Sequence, residues 1–402
     1  MSAEKWQKEE SDHGPNLEPG MTSDEGTMTA EGGQLRREFK ARHVSMIAVA
    51  GAIGTGLIIG TGTALVRGGP ANLLIAYCLV GAIVFFVMTA LGEMSIMFPM
   101  DKGFGGYATR FVDPALGYAT GWNYFFKYAI VLPNNLTAAG IIIQYWRPDL
   151  NVAIFLTVFT VVIILVNSTF AYTGTEVVGV AFGEAPNPKK TIRKAIRQTL
   201  WRIVFFYVIG AIVLGMAVPY TSSQLIGGTK QKTGAGASPF VIAVQLAGIP
   251  HFPDVINGCL SVFVLSATNS DNYIGSRVLF GLSHDRQAPA IFGKTTGNGV
   301  PLAGVIFTSL FAALAYLNAA MSSSVVFGYL VSLVTVFGAP NWVNILVTYI
   351  GFTRGLKTQG IDRASMPYRG ILQPYGAYFA LSLTILIIIF NGKLYLFGIT
   401  QS

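Results

Sequence analysis

Nine stretches of this chain are apolar over the roughly 20 residues that a helix needs to cross a hydrocarbon core of about 30 Å. They are residues 44–67, 72–97, 115–145, 152–182, 200–220, 254–282, 301–318, 326–352 and 372–391. In lipid a backbone satisfies its polar groups only within helices or closed barrels, and runs of this length suit helices. The expected fold class is an all-α polytopic membrane protein. Only 11% of the residues are charged against 52% hydrophobic. Soluble domains carry about 25% charge, so a water-soluble fold is excluded.

The net charge of +8 would suit a nucleic-acid surface. The bases, however, sit in short loops at the ends of apolar runs and form no patch on a soluble module, so no nucleic-acid partner is expected. The segment GEAPNPKKTIRKAIRQTLWR places six lysines or arginines between Glu184 and Arg202. Clusters of this kind beside a span mark the cytoplasmic side. Nine crossings with a cytoplasmic N-terminus put Arg36, Arg37, Lys40, Arg42, Lys102, Arg110 and the 189–202 cluster inside. Arg286, Lys294, Arg354, Lys357, Arg363 and Arg369 fall on the same side. Arg67, Arg147, Lys230, Lys232 and Lys393 fall outside.

Residues 1–35 are polar and lack the apolar core of a signal peptide, so they read as a disordered cytoplasmic tail. Residues 36–392 form the transmembrane domain, and 393–402 a short C-terminal tail. Cys78 and Cys259 lie inside apolar runs and are expected as small buried hydrophobes, without disulfide or metal spacing. The stretch 152–182 is too long for one straight crossing, since a helix over it would extend about 46 Å. It is too short for two. One crossing with a break near Asn167–Thr175 is expected, where Asn, Ser, Thr and Gly gather.

Two glycine-interrupted stretches carry the chemistry. The first, Gly51-Ala-Ile53-Gly54-Thr55-Gly56-Leu57, lies within an apolar run. Three glycines weaken a helix by about 1 kcal/mol each relative to alanine. An unwound half-helix N-terminus would offer bare amides to a substrate carboxylate. Close helix packing through small residues is the alternative. A soluble phosphate loop is excluded, because no strand precedes the glycines and no Lys-Ser/Thr pair follows. The second stretch, Phe170-Ala-Tyr172-Thr-Gly174-Thr175-Glu176, joins an aromatic, a glycine break and an acid. Glu176 is flanked by valines and must face a cavity or a partner, in a structural or a substrate- or proton-binding role.

Five further polar residues fall within apolar runs. Lys127, in WNYFFKYAIVLPNNL, either snorkels toward the cytoplasmic side or neutralises an anionic ligand. Asn134 and Asn135 follow Pro133 at mid-depth and could line a polar pathway. Glu93 is expected at a helix interface, and Asp271 is expected to pair with Arg277. No Ser/His/Asp set, paired-carboxylate site or HExxH motif is present, and the four histidines are scattered. An enzyme is not expected, and no cofactor or metal is implied.

Together these stretches resemble the fungal-type amino-acid permeases of the amino acid–polyamine–organocation superfamily. The resemblance rests on RHVSMIAVAGAIGTGLIIGTG (42–62), PANLLIAYCLVGAIVFFVMTALGEM (70–94), GWNYFFKYAIVLPNNLTAAGIIIQYW (121–146) and FAYTGTEVVGVAFGEAPNPKKTIRKAI (170–196). It continues in SATNSDNYIGSRVLFGLSHDRQAP (266–289) and PYGAYFALSLTILIIIFNG (374–392). Within the family, FKYAIVLPNNLTAAGIIIQYW and KTQGIDRASMPYRG look most like the dicarboxylic (glutamate/aspartate) permeases.

The resemblance implies a LeuT-like inverted-repeat fold, with broken first and sixth helices around a midplane site. It implies an amino-acid substrate, a proton as coupling ion and a plasma-membrane location. Gly51, Ile53, Gly54, Thr55 and Gly56 would hold the substrate α-carboxylate. Phe170, Tyr172, Gly174, Thr175 and Glu176 would meet the α-amino group, and Lys127 and Asn134 the side chain.

The chain departs from the family pattern after Asn167, where the sequence runs straight into Ser168-Thr169-Phe170. The family's fourth helix is expected to be fused to its sixth, with the fifth missing. The twelfth is expected to be absent too. Both fused helices run inward, so later orientations survive. The expected function is uptake of amino acids by secondary active transport, possible for acidic ones, against the alternative of a shortened relative that inserts but does not transport.

Overall fold

Along the long helices of the computed structural model many large apolar side chains face outward, and several polar ones are buried within a largely apolar interior. The structure describes residues 60–98, 103–144, 146, 197–198, 201, 203–223, 225–226, 238–296, 299–319 and 323–396. All of them belong to one unit, Gly33–Ser402. The described residues are helical or irregular, with no strand among them.

Helix α1 covers Thr61–Met97, α2 Gly103–Phe111 and α3 Pro114–Ile143. A π-helical turn, Ile203–Ile209, leads into α4, Gly210–Ala217. Helix α5 covers Pro239–Leu246 and α6 Phe252–His284. Helix α7, Leu302–Leu310, continues as a 3-10 segment, Phe311–Ala319. Helix α8 covers Ser323–Thr358 and α9 Tyr375–Leu396. The apolar runs expected at 115–145, 254–282, 326–352 and 372–391 thus correspond to α3, α6, α8 and α9. The stretches 44–59 and 152–182 and the basic cluster lie wholly or largely outside the described residues.

Among the described residues, Ala64–Met97, Pro114–Ile143 and Val325–Thr358 are long and apolar enough to cross a membrane. Helix α6 shows the same solvent preference by a different route. It buries Asn257, Thr268, Asp271, Asn272 and Ser276 while exposing Val255, Phe263 and Val262, the last at 64%. Such a helix suits lipid outside and polar contacts within.

Local sequence explains the helix ends. Asp113 accepts a hydrogen bond of 2.7 Å from the Ala115 amide ahead of Pro114, a capped start with proline in the first turn. Helix α1 turns at Gly69, whose φ of +72° is open to glycine and strained for other residues. Pro70 follows and lacks the amide that would continue the preceding helix. The bend separates the apolar runs expected as two spans, 44–67 and 72–97.

One expectation changes here, that for the cysteines, and the interface expected at Glu93 gains its partners. Cys78 and Cys259 are both exposed. A bilayer-facing surface is itself apolar, so a small apolar side chain need not be buried there. Glu93 does not merely line an interface. It is fully buried, pairs with the Arg363 guanidinium at 2.6 Å and accepts from the Tyr349 hydroxyl at 2.6 Å. The Gly370 amide adds a third bond at 2.7 Å. Arg363 also donates to the Gln373 carbonyl at 2.8 Å, and the Gln373 side chain donates to Phe86 O at 2.9 Å and Thr89 Oγ1 at 3.0 Å. The segment between α8 and α9 is therefore stitched to α1.

Candidate functional site

Residues recurring every three to four positions share one face of a helix. On α3 this places Tyr124, Tyr128 and Asn135 on one stripe, with Lys127 and Asn134 on its flank. On α6, Asn257, Leu260, Val264, Ala267, Asp271 and Ile274 fall on one face by the same rule. The two faces meet. Ala138, Ala139, Ile141 and Ile142 of α3 pack with Leu260 and Val264 of α6, and Tyr124 packs with Ile274. A Cβ on Gly121 would lie 2.5 Å from Leu282 Cδ2, so the helices cross closely there and a larger residue would require the leucine to shift.

A polar seam runs through this apolar contact. Asn135 Nδ2 donates to Asp271 Oδ2 at 2.6 Å, joining residues 136 positions apart in the chain. A neutral donor to a carboxylate makes a short, charge-assisted bond. The Lys127 ammonium lies 5.0 Å from the Tyr128 ring centroid and 5.7 Å from that of Tyr124. The two tyrosine hydroxyls are 3.2 Å apart and bonded to each other. Lys127 and Asp271 interact electrostatically across the seam. Between described residues the direct ion pair is Arg363–Glu93, so the Lys127–Asp271 attraction acts at longer range.

The seam extends to α7 and the 3-10 segment after it. Asn272 Nδ2 donates to Ser309 Oγ at 2.9 Å, and Asn318 Nδ2 to Thr137 Oγ1 at 2.9 Å. Nearer the α3 C-terminus, Trp146 Nε1 donates to Asp254 Oδ1 at 2.9 Å. A cation held over aromatic rings, with a buried carboxylate nearby and amide side chains along the wall, can hold a charged organic ligand or a proton.

Two of the residues singled out from the sequence, Lys127 and Asn134, are thus on the flank of one helix at the seam. Lys127 is half-buried over the tyrosines, and Asn134 is buried. Gly51, Ile53, Gly54, Thr55, Gly56, Phe170, Tyr172, Gly174, Thr175 and Glu176 lie outside the described residues. The expected Asp271–Arg277 pair does not form. Six helical positions turn the two residues to different faces. Arg277 instead donates to the Gly299 carbonyl at 3.3 Å and lies 5.0 Å from the Tyr273 ring centroid. Sequence reasoning left Tyr124 and Tyr128 out of the site; their i, i+4 spacing on the stripe shared with Asn135 was the available signal.

Residues 43–169 and 163–402 match the family model described as Amino acid permease. An uncharacterized amino-acid permease of Schizosaccharomyces pombe is 46% identical over 437 residues, covering 90% of this chain and 84% of the relative. The Dicarboxylic amino acid permease of Saccharomyces cerevisiae is 40% identical over 436 residues, covering 89% of this chain and 72% of the relative. The Lysine-specific permease of the same yeast is 32% identical over 451 residues, covering 93% and 73%. Each alignment is longer than the 402 residues of this chain, so the chain is shortened within the aligned region. The two segments matched by the family model meet at 163–169, around the Asn167–Ser168 junction.

Proposed function

The chain belongs to the amino acid permease family, and on that premise we propose that it takes up amino acids, acidic ones in particular, by proton-coupled secondary transport across the plasma membrane. In this reading the N-terminus is cytoplasmic and the fold is an incomplete inverted repeat of about nine spans. The Gly51–Leu57 backbone holds the substrate α-carboxylate, Phe170–Glu176 meets the α-amino group, and Lys127 and Asn134 meet the side chain. The similarity to the Dicarboxylic amino acid permease supports an acidic substrate.

The observation that carries the reading is the position of Lys127, a cation in a membrane-embedded polar seam and outside any direct ion pair with described residues. An opposite charge in such a place favours an acidic side chain by about 1–3 kcal/mol after desolvation. Lys127→Met keeps the apolar stem and removes the charge. It should lower aspartate uptake by about tenfold or more, while uptake of a neutral amino acid changes by less than about twofold. Equal losses for both substrates would remove the acidic-substrate assignment.

A second reading, a relative that inserts without transporting, is supported by the split match at 163–169 and the alignments longer than the chain. It corresponds to fusion of the family's fourth and sixth helices with loss of the fifth. Purified protein in sealed vesicles separates the two: no accumulation of any amino acid under an imposed proton gradient would favour the second.

A further inference from the structure

Asp271 has a role that neither the family resemblance nor the α-carboxylate and α-amino sites supply. It lies on the α6 face against α3, is only 8% exposed, and takes its 2.6 Å hydrogen bond from Asn135. Among the described residues, the charged or titratable groups acting on it are Lys127, Tyr124 and Tyr128, all on α3. Asn135 is neutral. Counting the described residues, the seam therefore holds one cation and one carboxylate and is close to neutral.

An acidic amino acid carries one negative charge more than a neutral one. Placing that charge in a low-dielectric seam that is already balanced leaves an excess anion, which is costly. A proton arriving with the substrate restores the balance, and it needs a base to receive it. Lys127 is already the cation, and the tyrosines are bonded to each other as neutral hydroxyls. Among the described residues at the seam, the remaining base is the Asp271 carboxylate.

We propose that Asp271 is the proton-binding site of the seam, and that its protonation removes the longer-range attraction on Lys127, leaving that charge to the acidic side chain of the substrate. An O–H bond forms at a carboxylate oxygen of Asp271 with a proton from the medium, and no bond in the substrate breaks. The charge count is unchanged: proton and substrate anion enter together, and the substrate carboxylate replaces the charge of Asp271 as the anion balancing Lys127. The proposal rests on the acidic-substrate reading above and extends it by naming the group that couples the proton. Asn135 positions the carboxylate and Lys127 is the charge that changes partner.

The test is equilibrium binding of radiolabelled aspartate to the purified full chain at pH 5 and pH 8, where the ligand side chain stays ionised. Wild type should bind at least about tenfold more tightly at pH 5. Asp271→Asn mimics the protonated state, so it should bind equally at both values with an affinity near that of wild type at pH 5. Asp271→Glu should restore the pH dependence with a shifted midpoint. Full pH dependence in Asp271→Asn overturns the proposal. So does loss of binding by a monodisperse Asp271→Asn beside a normal Asp271→Glu, since the charge itself would then be required. Aspartate binding by wild type without pH dependence overturns the proposal alone, whereas no aspartate binding at either pH overturns the acidic-substrate reading with it.

Discussion

Arg363 and Glu93 are separated by 270 residues in sequence and by 2.6 Å in space. The carboxylate is fully buried and the guanidinium reaches it from the segment joining α8 to α9. Removing one partner of a buried pair leaves the other uncompensated, at about 3–5 kcal/mol. Glu93→Ala and Arg363→Met should each lower the melting temperature of the detergent-purified protein clearly. The double variant should lose less than the sum of the two, because the residues share one network. Additive losses would mean that Tyr349 and Gly370, and not Arg363, hold the carboxylate.

Overpacking at the α3–α6 crossing has a sign that can be checked. A Cβ at Gly121 would meet Leu282 Cδ2 at 2.5 Å, so Gly121→Val should destabilise by about 1–3 kcal/mol. Because the obstacle is the end of one side chain, Leu282→Ala should recover part of the loss. Thermal melts of the two single variants and the double variant decide this.

Topology can be read with single cysteines. Sites introduced at 221–235 should label from outside intact cells, and sites at 186–198 should label only after permeabilisation. Cys78 and Cys259 are exposed and must be replaced first. Labelling of the 186–198 sites in intact cells would reverse the proposed orientation.

The glycine stretch is tested by bulk. If Gly54 holds unwound backbone against the substrate carboxylate, Gly54→Val should abolish uptake while leaving surface expression unchanged. Normal uptake by a well-expressed Gly54→Val would assign the glycines to helix packing.

The ends of α3 were legible because its apolar run begins at a capping residue. The run expected at 115–145 is the helix Pro114–Ile143, started by Asp113 and Pro114. Partners across the chain were not legible. Asp271 and Arg277 are near in sequence, yet the bond to Asp271 comes from Asn135 on another helix. Nothing local to Glu93 points to Arg363. The cysteines misled for another reason: burial rules drawn from water-soluble proteins lose their force where the solvent is lipid.

The Gly121–Leu282 crossing bears on which parts can move during a transport cycle. Two helices in close contact at Gly121 and Leu282, with apolar packing along their length, should move together. Lys127 and Asp271 sit on these two helices, so their separation should stay constant through the cycle. Spin labels on the exposed faces of α3 and α6 should keep one distance with and without substrate; a changed distance would show that the two helices move apart.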